Sequence, residues 1–260
     1  MSSLPARAGI EWLKQGFSLF RQQPGILTML LFTNFLASVL LSNIPILGML
    51  LMFLLIPSFS IAILQACNLI SQGQRVLPDV LLTGFRRPAI VRLFKLGMVY
   101  VGLALVMLIV MRLGVDDATM QQAQANAAAA KAASAAGQPV APQSPPPMVM
   151  IMVLVWGIVT MMLSFAAPLT HWKQMPLAKA IFYSVFGVIG AFKPIVVMLL
   201  SAMGMFIVLM GFVMLLFSSN AMILQAVVAW TLLMFTLILQ CAMFACYRQL
   251  YADPAPDDKR

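Results

Sequence analysis

The sequence predicts an all-α polytopic membrane protein with six transmembrane helices, arranged as three helical hairpins, each preceded by a cytoplasmic interfacial helix. Three observations carry this expectation. Hydrophobic residues make up 62% of the 260 and charged residues only 9%, against about a quarter charged in soluble domains. Six apolar runs are each long enough to cross the roughly 30 Å hydrocarbon core of a bilayer. All but Arg112 and Lys131 of the 16 Lys and Arg residues lie on flanks that alternate with the runs to one side, as the enrichment of cations in cytoplasmic loops requires.

The chain opens with "EWLKQGFSLFRQQPGIL", an amphipathic and basic stretch. Ile10, Leu13, Phe17 and Phe20 recur at helical spacing, with Lys14 and Arg21 beside them. This predicts a helix lying in the headgroup region over 1–24 and ending in a proline elbow. Nothing before Gly25 has the layout of a cleaved signal peptide, so the first span is expected to remain in the mature chain. Spans one and two follow at 25–41 and 44–67, joined by "LSNIPIL", whose Ser, Asn and Pro favour a tight turn.

A basic cytoplasmic loop, 68–92, leads to span three at 93–113, in whose first turn Lys95 must reach back to the interface. Residues 114–147 are rich in Ala, Gln, Ser and Pro and poor in large apolar side chains. They read as a flexible periplasmic loop whose alanine half alone could be weakly helical. Span four at 148–169, a cytoplasmic loop at 170–194, spans five and six at 195–217 and 221–246, and a cytoplasmic tail at 248–260 complete the plan.

The elbow recurs. "FRQQP" precedes span one, "FRRP" span three and "FKP" span five. Each sets an aromatic and a cation at the interface and a proline where a helix can begin without losing a hydrogen bond. Leu177, Ile181, Val185, Val188 and Phe192 repeat the helical stripe before the third elbow, while the middle copy, 77–85, is shorter and less regular. Arg21, Arg86, Arg87 and Lys193 are therefore expected to act as headgroup or topology anchors. The expected partners are membrane lipids with anionic headgroups at the cytoplasmic face, and no nucleic acid.

The N-terminal pattern of Trp12, Gly16, Phe17, Phe20, Arg21 and Pro24 followed by a hairpin resembles a family of uncharacterised proteobacterial six-span inner-membrane proteins. The hydropathy plan is shared along the whole chain, and the motif lies mostly within residues 1–70. The resemblance implies a bacterial inner membrane and brings no catalytic residues with it.

Chemistry inside the spans is sparse. No carboxylate falls within them, which argues against ion coupling through buried acids. His171 opens "HWKQ" without a carboxylate neighbour and reads as an interfacial anchor. The three cysteines are too widely spaced for a metal or disulfide motif. The methionine pairs 107/111, 148/152 and 210/214 read as core packing, so no metal or cofactor is expected. Gln65, Asn68 and Gln240 stand out as polar residues near the cytoplasmic ends of spans two and six. They serve either as interhelical hydrogen-bonding groups or as an intramembrane polar pathway. Prolines 57 and 168 are candidate kinks. Two functions remain open: a non-catalytic scaffold or assembly protein of the envelope, or a small-molecule permease or lipid-handling protein. Neither is an enzyme.

Overall fold

The computed structural model describes residues 5–44, 47–85, 89–114, 117–135, 147–217 and 221–251. Its elements are α1 (Ala8–Gln22), α2 (Pro24–Ser42), α3 (Leu47–Ser71), a 3-10 helix (Pro78–Phe85), α4 (Ala89–Gly114), α5 (Asp117–Ala135), α6 (Pro147–Leu163), α7 (Ala166–His171), α8 (Leu177–Gly190), α9 (Phe192–Phe217) and α10 (Ala221–Tyr251). Six stretches are long and apolar enough to cross a membrane: α2, α3, α4, Met148–His171, α9 and Ile223–Tyr251. The alanine-rich half of the expected loop forms α5, and its proline-rich half lies outside the described residues.

Two elbows are built as expected. Pro24 begins α2 directly after Gln23, and Pro194 sits in the first turn of α9. Arg86, Arg87 and Pro88 lie outside the described residues. The amide of Gln23 does more than end α1. Its Nε2 donates to the Gln74 carbonyl at 2.7 Å, and its Oε1 accepts from the Val76 amide at 3.0 Å. The side chain thereby substitutes for a stretch of backbone and ties the first elbow to the loop after α3.

α1 also packs on the bundle, through a different face from its apolar stripe. The residues it buries are Ala8, Gly9, Trp12, Gly16 and Leu19, not the larger apolar stripe. Ile10 and Phe17 are 40% and 46% exposed. α1 docks on α9 and α10 through small residues: a Cβ on Gly9 would run into the Pro194 carbonyl, and one on Gly16 would stand 2.6 Å from the Ala242 amide nitrogen. Lipid tails are as apolar as leucine, so large side chains gain little by turning inward, whereas glycine lets backbones approach. α8 buries Ala180, Ser184, Gly187 and Val188 and leaves Phe182 and Phe186 outward.

The core lies at the basic end of the bundle. Buried residues fall mostly in the first halves of α2, α4 and α9 and in the second halves of α3 and α10. In the other halves, residues such as Leu40, Leu113, Val153, Val208 and Leu215 are exposed to what would be lipid.

The fourth span breaks between α6 and α7, at Ser164 and Phe165. Pro168 has no amide proton and its ring crowds the carbonyl four residues back, at Ser164, so the ladder fails there. Ser184 of α8 repairs the break. Its hydroxyl donates to the Met162 carbonyl at 2.6 Å and accepts from the Phe165 amide at 3.1 Å. Pro57, by contrast, lies inside a continuous α3.

Candidate functional site: a polar cavity between the spans

A cavity of about 360 Å³ lies where the dense packing ends, walled by α2, α3, α4, α6, α7 and α10. That is within the range of small-molecule pockets, about 300 to 1,000 Å³. Its lining is mostly apolar, with Leu31, Ile56, Pro57, Phe59 and Met243 among the walls, and holds no Asp, Glu, Lys, Arg or His. The polar groups come from different helices: Asn34 and Ser38 from α2, Ser60 from α3, Tyr100 from α4, Thr160 from α6, and Gln240 and Tyr247 from α10.

Three of these groups have polar atoms that are buried and without a hydrogen-bond partner: Asn34 Oδ1, Gln240 Oε1 and the Tyr247 hydroxyl. An unsatisfied buried polar group costs about 1–3 kcal/mol, so three around one cavity mark a place built to be polar. The neighbouring hydroxyls are differently placed. Ser38 donates to the Asn34 carbonyl at 2.9 Å, Thr160 to the Trp156 carbonyl at 2.8 Å, and Ser164 to the Met161 carbonyl at 2.8 Å. With their protons committed to backbone, these oxygens offer only lone pairs. The arrangement suits an uncharged molecule with hydrogen-bond donors at one end and an apolar remainder.

On the basic side of the cavity the bundle is closed by aromatic packing. The Tyr247 ring lies 5.1 Å from that of Trp172, 5.2 Å from that of Tyr251 and 6.2 Å from that of Phe165, centroid to centroid. Trp172 Nε1 donates to Gln65 Oε1 at 2.8 Å. Trp12 Nε1 donates to Gln249 Oε1. Cys67 and Cys241 meet within this core, their sulfurs 3.0 Å apart.

The structure thus separates the three polar residues singled out in the sequence. Gln240 lines the cavity; Gln65 is held by Trp172; Asn68 accepts from Gln72 Nε2 at 3.3 Å and does not line the cavity. Asn34, Tyr100 and Tyr247 were missed as site residues. A readable signal existed: Gln240, Met243 and Tyr247 fall at i, i+3 and i+7, and Asn34 and Ser38 at i and i+4, each set on one helical face. Among the anchors, Arg21 and Lys193 are exposed at the ends of α1 and α9, Arg21 lying over the Phe17 ring at 6.0 Å. His171 packs edge-on against Trp172 at 6.4 Å.

No family model matches the chain, and no solved structure matches it. A probable inner membrane protein of Burkholderia thailandensis is 34% identical over 185 residues, 69% of this chain and 66% of the relative. The chain therefore spans a little under two thirds of that relative's length. With this similarity added to six helices apolar enough to span a bilayer, the chain is a multi-pass proteobacterial inner-membrane protein.

Proposed function

We propose that the protein is a non-catalytic binder of a neutral amphiphile, the lipid-handling or permease reading rather than a pure scaffold. The observation that carries this is the cavity, in which Asn34, Gln240 and Tyr247 present unpartnered polar atoms among apolar walls. The lining has no charge to hold an ion, and an uncharged polar head with a short apolar body satisfies both parts of the surface. We further propose that both termini face the cytoplasm, on the distribution of Lys and Arg. Arg21 and Lys193 would then serve as anchors to anionic headgroups in the inner leaflet.

The test is photolabelling of the full chain in mild detergent with a diazirine-bearing monoacylglycerol, followed by peptide mapping. Label on α3, α6 and α10 beside the cavity, reduced in Gln240→Leu and in Asn34→Leu, is the expected result. Label spread evenly over the lipid-facing surface, and equal in the variants, would sink the reading. For orientation, a periplasm-active reporter fused after Ser134 should be active and one fused at the C-terminus silent.

A scaffold role in the envelope is the second reading. It is favoured by a separate apolar groove of about 810 Å³ between α9 and α10, edged by Phe17, Phe212 and Trp230. A partner protein co-purifying at fixed stoichiometry, and lost when Trp230 is replaced by Ala, would favour it.

A further inference from the structure

A second pocket, of about 340 Å³, lies at the basic end between the first turns of α4 and the α7–α8 connection. It is lined by Arg92, Lys95, Thr170, Gln174, Pro176 and Leu177. We propose that it binds a phosphate group at the headgroup level of the membrane. Arg92 and Lys95 are three residues apart on one face of α4, where like charges repel. Among the described residues no carboxylate pairs with either of them. Both stand within the opening turns of a membrane span, where a cation without a counter-charge is costly.

The pocket is preorganised for an anion. Arg92 Nη1 donates to Gln174 Oε1 at 2.5 Å, which fixes the guanidinium while leaving its other donors free for a fork-like contact. Gln174 holds this position with φ at +52°, the one non-glycine residue with positive φ among the described residues. Such a backbone is strained, and strain of this kind persists where neighbouring contacts demand it. No side chain caps the adjacent N-terminus of α8, so its first amides add positive potential toward the same space. Cations, uncapped amides and a lining without acid together select an anion over a neutral or cationic ligand, and at the headgroup level the anion at hand is phosphate.

The inference stands apart from the neutral-amphiphile reading, and only the identity of the leaflet rests on the proposed orientation. The experiment uses the full chain in mild detergent, incubated with phosphatidylglycerol or phosphatidylcholine and examined by native mass spectrometry. Retention of phosphatidylglycerol should exceed that of phosphatidylcholine and fall about tenfold in Arg92→Gln/Lys95→Gln, as expected for losing charge-assisted contacts. Lys14→Gln, an exposed cation elsewhere at the basic end, should retain lipid like the wild type. Inorganic phosphate supplies the second arm. If it displaces the lipid and raises the melting temperature of the wild type but not of the double variant, the site takes free phosphate as well; if it does neither, the source is the lipid.

Arg92→Lys keeps the charge and the fold and should retain an intermediate amount, so the test survives any unfolding of the double variant. Equal retention in Arg92→Lys, the double variant and the wild type overturns the proposal. So does an equal loss in Lys14→Gln, which would reduce the effect to overall charge. Monoacylglycerol labelling of the central cavity should be unchanged in Arg92→Lys, which keeps failure of one reading distinct from failure of the other.

Discussion

The docking of α1 makes a prediction whose sign separates two pictures of the N-terminus. In Gly16→Ala, the new Cβ would stand 2.6 Å from the Ala242 amide nitrogen, 2.9 Å from its Cα and 2.9 Å from the Ile238 carbonyl oxygen. All three belong to the α10 backbone, so no side chain can rotate away. Favourable carbon contacts begin near about 3.5 Å, so α1 must retreat by roughly 0.9 Å at this point. Overpacking of this kind costs about 1–3 kcal/mol. The better helix propensity of alanine returns about 0.5–1 kcal/mol. The net expectation is a loss of up to about 2.5 kcal/mol, centred on about 1 kcal/mol.

The matched control is Gly25→Ala in α2, where a Cβ meets nothing within 4 Å. Only propensity acts there, and the variant should be as stable as the wild type or slightly more so. Thermal melting in detergent gives the ranking, and trypsin cleavage after Lys14 and Arg21 reports whether α1 stays docked. Gly16→Ala should melt lower and be cut faster. If α1 merely lay among headgroups, as its large apolar stripe suggested, both substitutions would raise helicity and behave alike. Equal melting and equal cleavage would refute the docking argument.

Three further outcomes are expected. Ser184→Ala leaves the Met162 carbonyl and the Phe165 amide unsatisfied at the break in span four; it should cost about 1–3 kcal/mol and speed hydrogen exchange at the Phe165 amide. Gln23→Glu keeps an acceptor for the Val76 amide but loses the donor to Gln74, whereas Gln23→Ala loses both; exchange at the Val76 amide should rise only in the alanine variant. Trp172→Phe preserves a ring but leaves Gln65 Oε1 without its donor; adding Gln65→Leu should recover much of the loss, because removing both partners of a buried hydrogen bond costs less than removing one.

The spans and elbows were legible because their signals are local. An apolar run of sufficient length has few alternatives, and a proline such as Pro24 marks a helix start from its own covalent structure. The docked face of α1 was not legible because Ala8, Gly9 and Gly16 around Trp12 and Leu19 form no regular run of large apolar residues, while Phe17 faces outward. The fates of Gln65 and Gln240 were likewise closed to sequence. Their local contexts are similar, but Trp172, 107 residues away in the chain, reaches only Gln65. Tyr247 escaped notice because it falls just beyond the apolar run of span six. Its ring is in fact fully buried and its hydroxyl is left beside the cavity.

Residue size along the spans sets how closely the helices approach around the cavity. Several close helix approaches are made by glycine: Gly97 against the Leu54 backbone, Gly84 against Ser58, and Gly16 against Ala242. Farther along, Gly102, Gly157, Gly204 and Gly211 meet nothing within 4 Å, although Gly48 packs against the Leu41 backbone in the first hairpin. Aromatic pairs make contacts there, as they also do at the basic end. Phe53 and Trp156 meet edge to face at 5.4 Å between α3 and α6, and Phe206 and Phe235 meet at 5.0 Å between α9 and α10. A glycine contact holds helices near the close end of their packing range and an aromatic pair holds them apart. Gln240 lies on α10 between Ile238 and Ala242, the residues against which Gly16 packs, and its Oε1 is left beside the cavity without a partner, whereas Gln65 finds the indole of Trp172.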